Sequence, residues 1–140
     1  MSKTIKPVVQ EEKTGCAIAA SAALAGLSYA RAKEIANRLG IYAEDSALWS
    51  QTHPIRRLLT ELGIRTAPDE STFVSWTSLP DCALLATKWR LIKEKPFWHW
   101  AVFVREGQHS YVLDSSKTLK THIRTDLGRI EPRWYIEIIR

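Results

Sequence analysis

Four side chains of this chain, Gln10, Cys16, His99 and Asp114, are of the types and in the settings that acyl transfer to a thiol requires. Cys16 opens the alanine-rich run CAIAASAALA. A thiol attacks a carbonyl only as the thiolate, and the first turn of a helix favours that form through unpaired amides and partial positive charge. A lone cysteine in such a helix is more often a small core residue, so the reading depends on its partners. His99 lies in FWHWAVFV, where a strand would hold an imidazole as rigidly as a general base needs. Asp114 closes the run YVLD fifteen residues later. One hairpin can bring it beside His99, where a carboxylate orients the ring and stabilises its protonated form. Gln10, six residues ahead of the cysteine, is a donor that could hold a developing oxyanion together with the backbone N–H of Cys16.

The elements that must carry these groups change character half-way along. Thr14 can cap a helix from about Cys16 to Leu27, loosened by Gly26. Tyr29 to Leu39 places Ala32, Ile35, Ala36 and Leu39 at helical spacing before Gly40. A third helix from Ala47 or Pro54 to Leu62 has Ile55, Leu58, Leu59 and Leu62 on one stripe, with Gly63 beyond. After that the period shortens. Ala83 to Ala86, Trp98 to Val104, Ser110 to Leu113 and Trp134 to Ile139 read as strands, Arg105 to Gln108 as a hairpin connection, and Ile64 to Ala67 as an edge strand. Alternation sends His99, Ala101 and Phe103 to one face of their strand and Trp98, Trp100 and Val102 to the other. The expectation is an α+β fold in one domain over residues 1–140, helical over about 14–63 and sheet over about 64–140, with the helices packed on a C-terminal antiparallel sheet.

Composition narrows the function classes. At 140 residues, 45% hydrophobic and 25% charged, the chain suits one ordinary core. No apolar run approaches the ~20 residues that span a bilayer, and Met1 to Val9 carries lysines without the apolar stretch of a secretion signal, so a soluble, cytoplasmic protein is expected; delivery as an effector by another system is compatible with this. Cys16 and Cys82 should then be reduced and separate, with Cys82 in the core. Two cysteines and four histidines without close pairing predict no metal, and no cofactor is expected. His53, His109 and His122 have less rigid settings than His99. The charge of +5 comes from scattered basic residues, and the tryptophans Trp49, Trp76, Trp89 and Trp134 fall on separate elements, suited to a core or a cleft wall. Nucleic-acid binding, which would rest on net charge alone, is not expected. Trp98 and Trp100 flank the proposed base and could screen it from water or line a groove, with core packing the better reading.

The segment QEEKTGCAIAA, with its glutamine six residues before a cysteine that opens an alanine-rich helix, resembles the catalytic opening of papain-like cysteine peptidases. It is most similar to the bacteriocin-processing peptidases that remove leader peptides after a double glycine. The His99 strand and the aspartate ending the strand after it match that family too. The resemblance implies a papain-like fold in which Cys16 is nucleophile, His99 its proton partner, Asp114 the orienter of His99 and Gln10 an oxyanion donor. It also implies a peptide or protein substrate, leaving any export-machinery or inhibitor partner open. The chain departs from the family at Gly15, where an acidic residue is usual, and at Ser115, where proline is usual. The membrane-spanning and ATP-binding parts of the exporters are missing, so a free-standing domain is expected.

The function expected is a thiol hydrolase acting on a peptide or other amide bond through an acyl-cysteine intermediate. Resolution of that intermediate by an amine would make the same site an acyltransferase. A third reading is a peptide-binding or regulatory module that keeps the fold without turnover.

Overall fold

The computed structural model describes residues 5–139. The first four residues, part of the lysine-bearing start discussed above, lie outside it. Three α-helices come first: α1 (Cys16–Ala25), α2 (Tyr29–Arg38) and α3 (His53–Glu61), with a short 3-10 turn at Ser46–Trp49 before α3. Seven strands follow: β1 (Arg65–Thr66), β2 (Ser71–Thr72), β3 (Cys82–Ile92), β4 (Lys95–Glu106), β5 (His109–Leu113), β6 (Ile123–Arg124) and β7 (Pro132–Ile139). They form an antiparallel sheet in the order β1-β7-β3-β4-β5-β6, with β2 also paired to β7. The α+β class and the helices-then-sheet order are thus as expected.

α1 is apolar all round and is buried from Cys16 to Ala23, as a helix in the middle of a core must be. Its one polar side chain in that stretch, Ser21, donates to the Ala17 carbonyl at 2.8 Å, so no hydroxyl is left unpaired. Gly26 adopts φ 71°, and Leu27 N–H returns to the Ala22 carbonyl at 2.9 Å, the left-handed stop that glycine allows. The N-terminus differs from expectation: the capping position is Gly15, and no side chain, Thr14 included, caps it. The helix mouth therefore keeps its amides uncommitted to a cap.

α2 is capped by Ser28, which accepts from Arg31 N–H at 3.1 Å, and it buries only Tyr29, Ala32 and Ala36. α3 starts at His53 with Pro54 in its first turn and buries Ile55, Leu58 and Leu59; at about 1.5–3 kcal/mol each for complete burial, such side chains anchor the helical layer. Trp100 Nε1 donates to the Leu48 carbonyl at 2.7 Å and fastens the 3-10 turn to β4.

Both faces of the sheet are covered. Trp98, Trp100, Val102 and Val104 join the helices in the larger core, and Ala101 and Phe103 join Leu79, Leu85, Val112 and Ile130 in a smaller one on the other side. The expected alternation along β4 holds, but the second face is covered by chain from the connections, Phe73, Trp76 and Leu127, and by Tyr135 of β7. The β3–β4 hairpin is longer than the apolar runs suggested. It continues through largely exposed residues, Leu91 and Ile92 among them, to a two-residue turn at Lys93 and Glu94, both at positive φ (51° and 68°). Such a turn is usually written with Gly or Asn, so neither turn chemistry nor hydrophobicity announced it. Pairing is broken between Thr87 and Arg90 by a bulge at which Lys88 sits at φ 51°.

Candidate active site

The fold brings Cys16, at the first turn of α1, next to His99 of β4 and Asp114, the residue just after β5. His99 Nε2 lies 2.9 Å from Asp114 Oδ1. The remaining ring nitrogen, Nδ1, is the one left to meet Cys16, which lines the same cleft and lies close enough to act on the ring. His99 is anchored on its strand because Thr87 Oγ1 donates to its carbonyl at 3.0 Å.

Burial pushes the His99 imidazole down, but the hydrogen bonds to Asp114 and Cys16 and their negative charge push it further up, to about 9. Burial pushes Asp114 up, yet the hydrogen bond and charge of His99, the Ser116 N–H and the charge of Lys88 bring it to about 2. Near neutrality the pair is therefore imidazolium and carboxylate.

Asp114 is held from every side. Its Oδ1 also accepts from Ser116 N–H at 3.1 Å, and its Oδ2 accepts from Arg124 Nη1 at 3.3 Å. Its main chain pairs with His122, the Asp114 N–H donating to the His122 carbonyl and the His122 ring meeting the Asp114 carbonyl, both at 2.9 Å. Arg124 in turn grips Asp126 at 2.8 Å. Neither Arg124 nor the backbone role of His122 was legible in the sequence, because both depend on β6 pairing with β5.

Gln10 departs from the expected role in one respect. It is buried beside the cleft, but both hydrogens of its carboxamide are taken, by the Glu12 carbonyl at 3.0 Å and the Lys13 carbonyl at 2.6 Å. Its Oε1 accepts from Ser115 Oγ at 2.7 Å, and its own N–H donates to the Ser115 carbonyl at 3.0 Å. In this state Gln10 shapes the loop before Cys16 and ties it to the segment after Asp114. The amides of the α1 mouth, which have no acceptor within the helix, are the donors left for an oxyanion.

The two departures noted in the sequence acquire physical reasons. A Cβ on Gly15 would stand 2.1 Å from Tyr29 Oη and 3.0 Å from Cζ, so the residue before the thiol must lack a side chain while Tyr29 packs there. Ser115 supplies the hydroxyl that Gln10 Oε1 uses, which proline could not.

A cleft of about 540 Å³ opens over Cys16 and His99, walled by Trp49 and Trp98. Trp98 is buried, and its indole N–H has no hydrogen-bond partner among the described residues. Trp98, Trp100 and Trp134 pack edge-to-face with ring centres 4.8–5.6 Å apart, so the wall is rigid. Cys82 is buried in β3, and neither cysteine is in a disulfide. Among the described residues no group of three His, Cys, Asp or Glu side chains is placed to hold a metal ion, and no helix is long and apolar enough to cross a membrane. Comparison of the sequence with protein-family models and with curated proteins returns no match.

Proposed function

We propose that this protein is a thiol hydrolase of the papain type, acting on a peptide or other amide bond through Cys16. The observation that carries the reading is His99 held by Asp114 at 2.9 Å on one side, with Cys16 close enough to act on the ring and lining the same open cleft. The thiolate Sγ adds to the substrate carbonyl carbon, and the carbonyl electrons move to oxygen, where the amides at the mouth of α1 face the charge. As the tetrahedral species collapses, His99 gives its proton from Nδ1 to the leaving amine. Water then adds to the acyl-cysteine and returns a proton to His99, and the carboxylic acid leaves with the thiolate restored. Asp114 holds the ring in place throughout and stabilises its charged form.

The resemblance to bacteriocin-processing peptidases supports a peptide substrate; Gly15 and Ser115, explained by Tyr29 and Gln10, leave the thiol and imidazole arrangement whole. Resolution of the acyl-cysteine by an amine would make the protein an acyltransferase with the same residues. The reading as a peptide-binding module without turnover is favoured by one observation, the commitment of both Gln10 amide hydrogens to the loop. Labelling with iodoacetamide across pH separates it from the hydrolase. Cys16 should react faster than a small thiol at neutral pH and below, and His99→Ala should abolish that advantage. Reaction at the rate of a small thiol, unchanged by His99→Ala, would refute catalysis.

A further inference from the structure

The cleft over Cys16 collects positive charge that the sequence disperses. Lys13 comes from the loop before α1, Lys88 and Arg90 from the bulge in β3, and Lys117 from the segment after Asp114. All four are exposed, and among the described residues none is in an ion pair. No aspartate or glutamate lines the cleft; Asp114 is buried behind His99. The bulge gives Lys88 a left-handed backbone conformation that costs a lysine roughly 1–3 kcal/mol, and it brings Lys88 and Arg90 together to the cleft. Natural sheets use bulges to re-aim side chains next to sites.

From this we infer that the substrate is an acidic peptide, with carboxylate side chains flanking the carbonyl that Cys16 attacks. This rests on the thiol-hydrolase reading of the cleft. A carboxylate entering it meets four cations with no competing carboxylate on the lining, and low-dielectric tryptophan walls strengthen the attraction. Nucleic acid would meet the same charge, but it offers no acyl carbon to the thiol.

The test compares two reagents that differ by one charge, iodoacetate and iodoacetamide. In both, Sγ bonds to the methylene carbon and iodide leaves with its electron pair. At low ionic strength, the ratio of the iodoacetate to the iodoacetamide rate at Cys16 should exceed that of glutathione. In the double variant Lys88→Gln, Arg90→Gln it should fall several-fold, the effect of removing two of the four cations that line the cleft. Added salt should shrink the wild-type ratio. Arg90→Gln alone, an exposed position, should give about half the effect on a logarithmic scale and stands in if the double variant does not fold.

A second arm uses competitors against iodoacetamide: a glutamate-rich peptide, the same peptide with glutamine in place of glutamate, and a single-stranded oligonucleotide of equal charge. The acidic peptide should protect Cys16 best. A ratio unmoved in the variants, equal protection by the neutral peptide, or better protection by the oligonucleotide would overturn the inference while His99-dependent reactivity leaves the hydrolase intact. If Cys16 lacks that reactivity altogether, both fall.

Discussion

Replacing Asp114 by Asn tests the electrostatics of the site directly. The side chains of His99 and Asp114 are 14% and 4% exposed, so their interaction is little screened. His99 rises from 6.5 to about 9 and Asp114 falls from 3.8 to about 2. The two shifts share the His99–Asp114 interaction and do not add, Cys16 contributing to the first and Ser116 and Lys88 to the second; at ~1.36 kcal/mol per pKa unit they bound the shared part at about 2–3 kcal/mol. A raised histidine stabilises the fold fully below its unfolded value of 6.5 and loses that contribution as pH rises through about 9. A depressed aspartate stabilises it above 3.8 and loses that contribution as pH falls through about 2. The wild type should thus exceed Asp114→Asn in stability by about 2–3 kcal/mol between about pH 4 and 6.5, and the gap should narrow as pH rises from about 6.5 and be lost by about pH 9. Urea denaturation at a series of pH values measures it, and NMR titration of the His99 ring should show its pKa falling by about 2 units or more in the variant. A gap constant with pH through 9, or a His99 titration alike in both proteins, would show that the pair does not carry the charge described here.

Other consequences are equally open to measurement. Gly15→Ala should cost about 1–3 kcal/mol through overpacking against Tyr29, and Tyr29→Phe should recover part of it; a neutral Gly15→Ala in thermal melts would contradict the close approach. Ser115→Ala should destabilise by about 1–2 kcal/mol by leaving Gln10 Oε1 buried without its donor. A double-mutant cycle with Gln10→Ala should then show coupling of about 1 kcal/mol, and strict additivity would dissolve the pairing. Arg124→Gln should cost about 1–2 kcal/mol, because one guanidinium serves both Asp114 and Asp126; Arg124→Lys, which lacks the fork, should recover little in the same denaturation measurement.

Local chemistry was legible where it is written in neighbouring residues. The alanine run and Gly26 define α1, and the alternation from Trp98 to Phe103 assigns both faces of β4. The stop of the apolar run after Leu113 puts Asp114 at a strand end. The turn at Lys93 and Glu94 was not legible, because the hairpin arm projects from the core with Leu91 and Ile92 exposed among basic residues and this turn has no glycine. Arg124, Ser115 and the cationic rim were hidden for a different reason. Their significance lies in which distant segments the sheet order brings together, and a basic residue at 13, 88, 90 or 117 reads in isolation as ordinary surface. Gln10 was found by spacing, but spacing alone could not tell that its amide faces two carbonyls.

The tie between Gln10 and Ser115 spans 105 positions of the chain, and it fixes a temporal order. During synthesis Cys16 emerges first, yet His99, Asp114 and the Ser115 hydroxyl that steadies the preceding loop are all made more than 80 residues later. Closing such a long loop is entropically costly and comes late in folding. A newly made chain therefore presents Cys16 before its neighbours in the fold exist, and the arrangement of Cys16, His99 and Asp114 forms only once the sheet has closed.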